Sequence, residues 1–406
     1  QRQEALVEPA FRGRNSSSLD PKRKLVLGFV SSDLTLHPVT VFLLPLLQEL
    51  DRSRCLVNVY STGDGPEDYI TEKVREASDK WADLSKSSEI QMAQAIADDE
   101  VDVLFDLAGH TSKSTLGLFA LQPAPVQIGW LGYLNTSGLS RIQHRLCDAR
   151  TDPPETQQWH TEQLLYLPNS QWCYKPLLEV PSRHQAPLAR NGFVTFGSFN
   201  SAAKVTDAMC QRWAEILLRV PGSRLIFADI TSARKQQAIQ FVFERAGVVP
   251  GRLTFMPRVG LDKYFELYNE VDIALDSNPY GGGTTTFDAL WMSVPVVAAR
   301  GELPVSRSAA SILDALGLSD WVALTIDQYV EVAVVSALDS EQLFNLHVSL
   351  RQRLSESPLM DMPRFARDFE EVIRQAWQRY CSDADQAASQ LVASAPSPSW
   401  RAASLD

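Results

Sequence analysis

The sequence lacks the cysteine patterns of a metal centre or a disulfide framework. Its five cysteines are an odd number, they are widely spaced, and no C-x-x-C occurs. The six histidines never recur at a ligand spacing. A zinc site or a set of structural disulfides is therefore not expected, and the reducing cytoplasm is the default compartment.

Long apolar runs and basic residues are also scarce. The longest apolar runs, such as residues 41–47, fall far short of the ~20 residues that cross a membrane, and the opening residues do not have the pattern of a secretory signal. Thirty-eight Lys and Arg residues stand against 49 Asp and Glu, a formal net charge of −11. This balance argues against a nucleic-acid-binding surface and against docking on anionic lipid, so we expect neither partner.

The sequence does contain enough apolar residues for one or two large cores. It has 406 residues, of which 45% are hydrophobic, and this length indicates roughly two to three domains. Apolar strand patterns alternate with amphipathic helical patterns between residues 25 and 106, and a second alternation begins at residue 192. The repetition predicts an α/β fold with two Rossmann-like domains that face each other across a cleft.

A stretch rich in proline and polar residues at 168–190 is the best candidate for a domain boundary. The predicted parts are a linker (1–23), an N-terminal Rossmann-like domain (24–175), a C-terminal Rossmann-like domain (176–362), a C-terminal helix that packs back (363–382) and a disordered tail rich in Ala, Ser and Pro (383–406).

A loop of three glycines and three threonines, residues 281–286, follows a predicted strand and opens a helix. Glycines let the backbone approach a ligand closely, and the helix start offers free N–H groups and a positive dipole end to a phosphate. Asp288, about one turn further on, can accept hydrogen bonds from ribose hydroxyls. The alternative is an ordinary turn with a threonine N-cap, but six such residues in a row favour phosphate binding.

Lys204 follows a predicted strand through a polar turn, where its ammonium can neutralise a diphosphate in the cleft. An ordinary exposed lysine is the alternative. No acidic D-x-D triplet that would grip a metal diphosphate lies at a strand end, since the one at 383–385 belongs to the polar tail. Neither half has a G-x-G-x-x-G after its first strand, so a dinucleotide oxidoreductase is not expected.

Two histidines, His37 and His110, follow the first and third strands of the first half. Ligands of open α/β sheets bind beyond the carboxyl ends of the strands, so each is a candidate acid, base or hydrogen-bond donor. A helix-cap or packing role is the alternative for each, but two histidines at equivalent strand ends reinforce each other.

Five segments resemble the catalytic region of the protein O-GlcNAc transferases, a group of GT-B glycosyltransferases (family 41) that includes the SPINDLY branch, whose plant members are O-fucosyltransferases. They are VSSDLTLHP (30–38), LAGHT (107–111), PAPVQIGWLGYLNTSG (123–138), NGFVTFGSFNSAAK (191–204) and LDSNPYGGGTTTFDALW (275–291). The resemblance covers roughly residues 25–380 and implies a GT-B fold. It also implies inverting transfer from a nucleotide sugar to Ser or Thr of a protein, with no metal and no cofactor.

The resemblance also assigns roles to residues. It makes Lys204 the residue that holds the β-phosphate of the leaving nucleotide and His37 the histidine that faces the reacting centre. With His110, the other histidine at a strand end, these are the predicted catalytic residues. The predicted nucleotide-sugar site consists of two diphosphate ligands (Thr284 and Thr285), a ribose ligand (Asp288), backbone along the sugar (Leu131 and Gly132), and Thr111, Ser201, Gly282, Gly283 and Thr286.

Three positions depart from the pattern of human-type O-GlcNAc transferases. Gly283 stands where these proteins have a histidine, Ala203 where they have a tyrosine, and Leu261 where they have the lysine that stacks on uridine. The nucleobase therefore stays open. UDP-GlcNAc is the leading donor, and GDP-fucose is the alternative.

Other readings and partners also stay open. A nucleotide-sugar epimerase would need acidic bases that we cannot identify, and a non-catalytic sugar-nucleotide-binding module would not need a cleft histidine. Family members usually carry a tetratricopeptide array that selects protein acceptors, but no 34-residue helical repeat is visible in this chain. We expect a protein or peptide acceptor whose identity the sequence does not give.

Overall fold

A computed structural model describes residues 18–178, 180–181 and 185–394. Most of the predicted linker and the last part of the predicted tail, residues 1–17 and 395–406, lie outside these described residues.

The first half of the described chain forms a parallel sheet of seven strands in the order β3-β2-β1-β4-β5-β6-β7. The strands are Leu25–Ser31 (β1), Cys55–Ser61 (β2), Lys80–Asp83 (β3), Val103–Asp106 (β4), Val126–Gly129 (β5), His144–Cys147 (β6) and Gln163–Tyr166 (β7). The register pairs Leu27 of β1 with Val57 of β2 and with Val103 of β4. β1 is apolar along almost its whole length because helices or other segments cover both faces of a parallel sheet.

Four helices connect these strands: Pro38–Glu49 (α1), Tyr69–Glu76 (α2), Glu89–Asp98 (α3) and Leu116–Ala120 (α4). α1 begins after His37, which is its N-cap, and Pro38 occupies the first helical position, where a missing N–H costs little. Nine of its residues are buried, so α1 is held between the first sheet and the second half of the chain.

The second half repeats the pattern with a parallel sheet of six strands, in the order β10-β9-β8-β11-β12-β13 among the described residues. The strands are Thr195–Ser198 (β8), Arg224–Phe227 (β9), Leu253–Phe255 (β10), Ile273–Leu275 (β11), Val296–Ala299 (β12) and Val322–Ala323 (β13). The helices of this half are Leu188–Asn191 (α5), Asp207–Arg219 (α6), Ala233–Arg245 (α7), Leu261–Tyr268 (α8), Thr284–Trp291 (α9), Ser308–Ala315 (α10), Ile326–Leu338 (α11) and Ser340–Ser355 (α12). The predicted α/β class with two Rossmann-like sheets is confirmed, whereas the predicted limits of the two Rossmann-like domains stay a prediction.

The last helix, Met362–Ser394 (α13), returns to the first sheet. Phe369 is fully buried there, and its ring centroid lies 5.4 Å from that of Phe105 on β4 and 5.5 Å from that of Trp130 after β5. These contacts attach α13 to the first sheet.

α13 also corrects a predicted boundary. Residues 383–394 were expected to belong to a disordered tail, but they continue the helix to Ser394. Alanines such as Ala384 and Ala387 look like low-complexity sequence, yet alanine has the highest helix propensity. They therefore extend a helix that is already anchored by packing. No helix among the described residues is both long and apolar enough to cross a membrane.

Phe369→Ala should lower the free energy of unfolding by about 3–5 kcal/mol, since it removes a buried ring between two other aromatic side chains. Urea denaturation measures this loss. The matched control is Phe344→Ala on α12, whose ring is 49% exposed and whose removal should cost less than about 1 kcal/mol. Equal losses in the two variants would contradict the packing role of α13.

Candidate active site

Two adjoining cavities lie where the carboxyl ends of strands from both sheets meet. The larger, about 360 Å³, is lined by His37, Leu131 and Gly132 from the first half and by Lys204 and the loop before α9 from the second. The smaller, about 290 Å³, is mostly apolar and contains Asp288. His37, Thr284 and Thr285 line both cavities, so the two form one cleft with two compartments.

His37 reaches the cleft because it is the N-cap of α1. Its Nδ1 accepts a hydrogen bond from the backbone N–H of Val39 at 3.3 Å. In the neutral ring the proton must then be on Nε2, which is a donor. Burial lowers the pKa of His37 below its usual value, against the opposing effect of Asp33. A neutral imidazole that donates from Nε2 therefore faces this site.

The backbone beside the larger cavity is tightly constrained at residues 131–132. Leu131 has a φ of 66°, which is rare for a residue with a side chain. A Cβ at Gly132 would lie 2.1 Å from the carbonyl oxygen of Leu107, so a larger residue cannot fit without moving the loop. Such local strain is common at ligand sites.

Lys204 lines the larger cavity together with His37. Its Nζ donates to the carbonyl oxygen of Gly281 at 2.9 Å and stands 4.3 Å from the ring centroid of Tyr280. Burial lowers the pKa of Lys204, and the nearby carboxylate of Asp276 partly offsets this. A cation held in a site with little water interacts strongly with an anionic ligand.

The glycine-threonine loop is shaped by Asp276, which lies at the end of β11. One of its carboxylate oxygens accepts from the backbone N–H of Gly282 at 2.7 Å and from the side-chain amide of Asn200 at 3.0 Å. A Cβ at Gly282 would lie 2.2 Å from Oγ1 of Thr285. Burial raises the pKa of Asp276 to about 6. The loop therefore presents Thr284 and Thr285 to the cleft at the start of α9.

Asp288 is buried beside the smaller cavity and is held by two tyrosines. One oxygen accepts from the hydroxyl of Tyr174 at 2.8 Å, and the other accepts from the hydroxyl of Tyr264 at 3.0 Å. Burial raises its pKa to about 7, although both hydrogen bonds act in the opposite direction. Each carboxylate oxygen can accept a further hydrogen bond, so Asp288 can still accept one from a ligand hydroxyl.

The structure brings together most of the predicted site but not all of it. Nine predicted residues line the cleft: His37, Leu131, Gly132, Ser201, Lys204, Gly283, Thr284, Thr285 and Asp288. Four line neither cavity: His110, Thr111, Gly282 and Thr286.

The four residues outside the cleft have other surroundings. His110 is exposed; its Nε2 lies 2.9 Å from the carbonyl oxygen of Ser137, and its ring meets Tyr133 edge-on. Thr286 is buried and donates to the carbonyl oxygen of Gly282 at 3.0 Å. His110 therefore lies beside the loop 133–137. The catalytic or binding roles of all four residues stay predictions.

Sequence reasoning missed three tyrosines that shape the site: Tyr174, Tyr264 and Tyr280. Tyr264 lies at a helical spacing that is typical of core residues, and Tyr174 lies next to the predicted domain boundary. Only Tyr280, adjacent to the glycine loop, carried a local signal.

Comparisons with known proteins agree with this architecture. The model of the family Glycosyl transferase family 41 matches residues 2–175 and 174–369. A Solanum lycopersicum protein named "Probable UDP-N-acetylglucosamine--peptide N-acetylglucosaminyltransferase SPINDLY" is 40% identical over 379 residues, which are 92% of this chain and 41% of that protein. An Arabidopsis thaliana relative has the same enzyme name but the designation SEC. It is 26% identical, over 89% of this chain and 38% of its own length. The chain thus spans about two fifths of the length of these relatives.

Solved structures of glycosyltransferases are also similar to this chain. A mutant O-GlcNAc transferase from Thermobaculum terrenum superposes with a TM-score of 0.86 and 31% identity, over 92% of this chain and 71% of that chain. Anabaena HepE, solved with UDP and glucose, has a TM-score of 0.56 at 12% identity, over 86% of this chain and 100% of that one, which is a likeness of fold alone. The predicted GT-B fold is confirmed by the first of these superpositions.

Asp288→Asn should change how stability depends on pH. Because the folded pKa of about 7 lies above the unfolded value of about 3.9, the folded protein keeps a proton that the unfolded chain releases. Stability from this group is therefore fully present below about pH 4 and is lost as the pH rises towards 7. Between pH 4.5 and 8, the wild type should lose about 3 kcal/mol relative to the variant.

Urea denaturation at several pH values measures this difference. The control is Asp327→Asn, whose side chain is 80% exposed; its difference from the wild type should stay within about 0.5 kcal/mol over the same range. A pH-independent difference for Asp288→Asn would show that the carboxyl group is ionised throughout.

Proposed function

Because the chain belongs to glycosyl transferase family 41, we propose that it transfers N-acetylglucosamine from UDP-N-acetylglucosamine to serine or threonine hydroxyls of proteins. The observation that carries this proposal is the placement of His37, Lys204, Thr284 and Thr285 around one cavity. The enzyme names of the relatives support the choice of donor.

The proposed reaction is a single inverting displacement. The acceptor oxygen forms a bond to the anomeric carbon while the bond from that carbon to the diphosphate breaks. Negative charge then grows on the leaving diphosphate, where the Lys204 ammonium and the first turn of α9 stabilise it more in the transition state than in the ground state. Asp288 and the smaller cavity receive the nucleoside.

His37 acts as a donor in this proposal. With Val39 N–H bonded to its Nδ1, its Nε2 carries the proton and orients an oxygen of the sugar or of the acceptor. The acceptor proton leaves through another group or through water, and the base therefore stays unassigned.

The metal-independent mechanism and the cytoplasmic location are also proposals. Lys204 and the helix start provide the positive charge that a metal would otherwise supply. The cytoplasm is supported by the five cysteines, each of which is buried and unbridged. Because the chain spans about two fifths of its relatives, the acceptor and any tetratricopeptide array that selects it also remain proposals.

GDP-fucose is the second candidate donor. Leu261 lines the smaller cavity at the position of the family's uridine-stacking lysine. The absence of that lysine favours a base other than uracil.

The transfer assay decides between these candidates. We expect transfer of radiolabelled GlcNAc from UDP-GlcNAc to a Ser/Thr peptide library, with activity unchanged by EDTA. Transfer from GDP-fucose alone would replace the first donor with the second. No transfer from either donor to any acceptor would reject the proposed function, and loss in EDTA that manganese or magnesium restores would reject the metal-independent mechanism.

Lys204→Met should lower kcat by about 10²-fold or more, roughly 3 kcal/mol, because it removes one preorganised charge with little change in volume. Donor affinity should fall much less. Single-turnover transfer at saturating donor measures the effect. The matched control is Lys235→Met, since the ammonium of Lys235 also donates to a backbone carbonyl, that of Val205 at 2.6 Å, but lines neither cavity. A Lys204→Met protein as active as the control would remove Lys204 from the mechanism.

A further inference from the structure

Tyr280 is a cleft residue to which neither the sequence prediction nor the proposed reaction gives a role. It lies between β11 and α9 and lines the larger cavity beside Lys204. The Lys204 ammonium stands 4.3 Å from the centroid of its ring and donates at 2.9 Å to the carbonyl oxygen of the next residue, Gly281. Two consecutive residues thus hold the ammonium: Tyr280, just before the glycine-threonine loop, with a ring face, and Gly281, the first residue of that loop, with a carbonyl dipole.

Lys204 needs such support because its surroundings disfavour its charge. Burial lowers its pKa, and the carboxylate that opposes this effect belongs to Asp276. That carboxylate already accepts hydrogen bonds from Gly282 and Asn200, and burial raises its own pKa to about 6. His37 and Asp229 are the other titratable groups that line the larger cavity. An aromatic face attracts a nearby cation, and the attraction strengthens as water is excluded from the contact.

The ring rather than the hydroxyl makes this contact. Among the described residues, no hydrogen bond of the Tyr280 hydroxyl is found, whereas its ring lies against the ammonium. A phenyl ring should therefore serve as well as a phenol, and an aliphatic side chain should not.

We propose that Tyr280 is a positioning residue, whose ring keeps the Lys204 ammonium in the cavity within reach of a leaving diphosphate. The inference rests on the proposed function, because Tyr280 acts through Lys204. Residues 280–285 would then have two functions: Thr284 and Thr285 bind the phosphates, and Tyr280 and Gly281 hold the lysine that balances the phosphate charge.

The first experiment compares Tyr280→Leu with Tyr280→Phe in single-turnover transfer. Tyr280→Leu should slow transfer about tenfold with a smaller change in donor affinity, whereas Tyr280→Phe should behave as the wild type. The matched control is Phe193→Leu. Its ring lies at the same 4.3 Å from the guanidinium of Arg224, but at the amino end of β9, away from the cleft. Equal losses in Tyr280→Leu and Tyr280→Phe would overturn the role of the ring.

The second experiment needs no transfer activity. In protein labelled with ¹³C-lysine, the Lys204 signal is assigned by its loss in Lys204→Met and is titrated by NMR. Because the ring stabilises the charged form, its removal should lower the titration midpoint by about one pH unit in Tyr280→Leu. Tyr280→Phe and Phe193→Leu should leave it unchanged.

The two readouts separate this inference from the proposed function. A wild type that transfers no sugar rejects the proposed function, while the NMR midpoints still decide the role of Tyr280. An unchanged midpoint in Tyr280→Leu overturns the inference, even where the wild type and Lys204→Met behave as a glycosyltransferase and its impaired variant.

Discussion

The cleft depends on an aromatic contact between the two halves of the chain. Phe42 of α1 lies with its ring centroid 5.7 Å from that of Phe287 of α9, and Tyr174 stacks on Phe287 at 5.0 Å with the planes 2° apart. Phe42 follows the N-cap of α1 by five residues, and Phe287 lies in the first turn of α9. Packing of these rings therefore fixes the separation of two helix starts, one carrying His37 and the other the threonine pair.

Burial gives the cleft its electrostatic character. It raises the pKa of Asp276 and Asp288 and lowers that of Lys204, which are the directions expected when charged forms lose water. Each group is compensated locally: Asp276 by a backbone amide, Asp288 by two tyrosines, Lys204 by a ring and a carbonyl. The site thus holds its dipoles in place before a ligand arrives, so little reorganisation would be left for the proposed reaction.

Much of the fold and part of the candidate site could be predicted from the sequence. Parallel sheets have long apolar strands, and ligands bind at the carboxyl ends of these strands. β1, β2 and β4 lie in the stretch between residues 25 and 106 whose apolar runs predicted strands. β3 and β6 are short strands with polar residues, such as Lys80–Asp83, and have no clear apolar pattern that would predict them. His110 was expected in the cleft because it follows a strand, but Gly109 has a φ of 57°, and after this turn the ring lies beside Tyr133 instead. Tyr174 and Asp288 are hydrogen-bonded although they lie 114 residues apart in the chain. No local sequence pattern predicts such a long-range contact.

In the proposed reaction the two halves of the cleft have different chemical tasks, and this division explains why the contact between them matters. The second half supplies the positive charge for a diphosphate, from Lys204 and the start of α9, and the Asp276 carboxylate that shapes the loop. The first half supplies the neutral His37, the strained backbone of Leu131 and the tightly packed Gly132. A displacement reaction requires the leaving group and the attacking oxygen on opposite sides of one carbon, so neither half is sufficient. Their distance is set by Phe42, Phe287 and Tyr174, whose rings pack against one another. Geometry for the proposed reaction is therefore maintained by aromatic packing between the halves, whereas Lys204 and the start of α9, both in the second half, stabilise the charge of the leaving diphosphate.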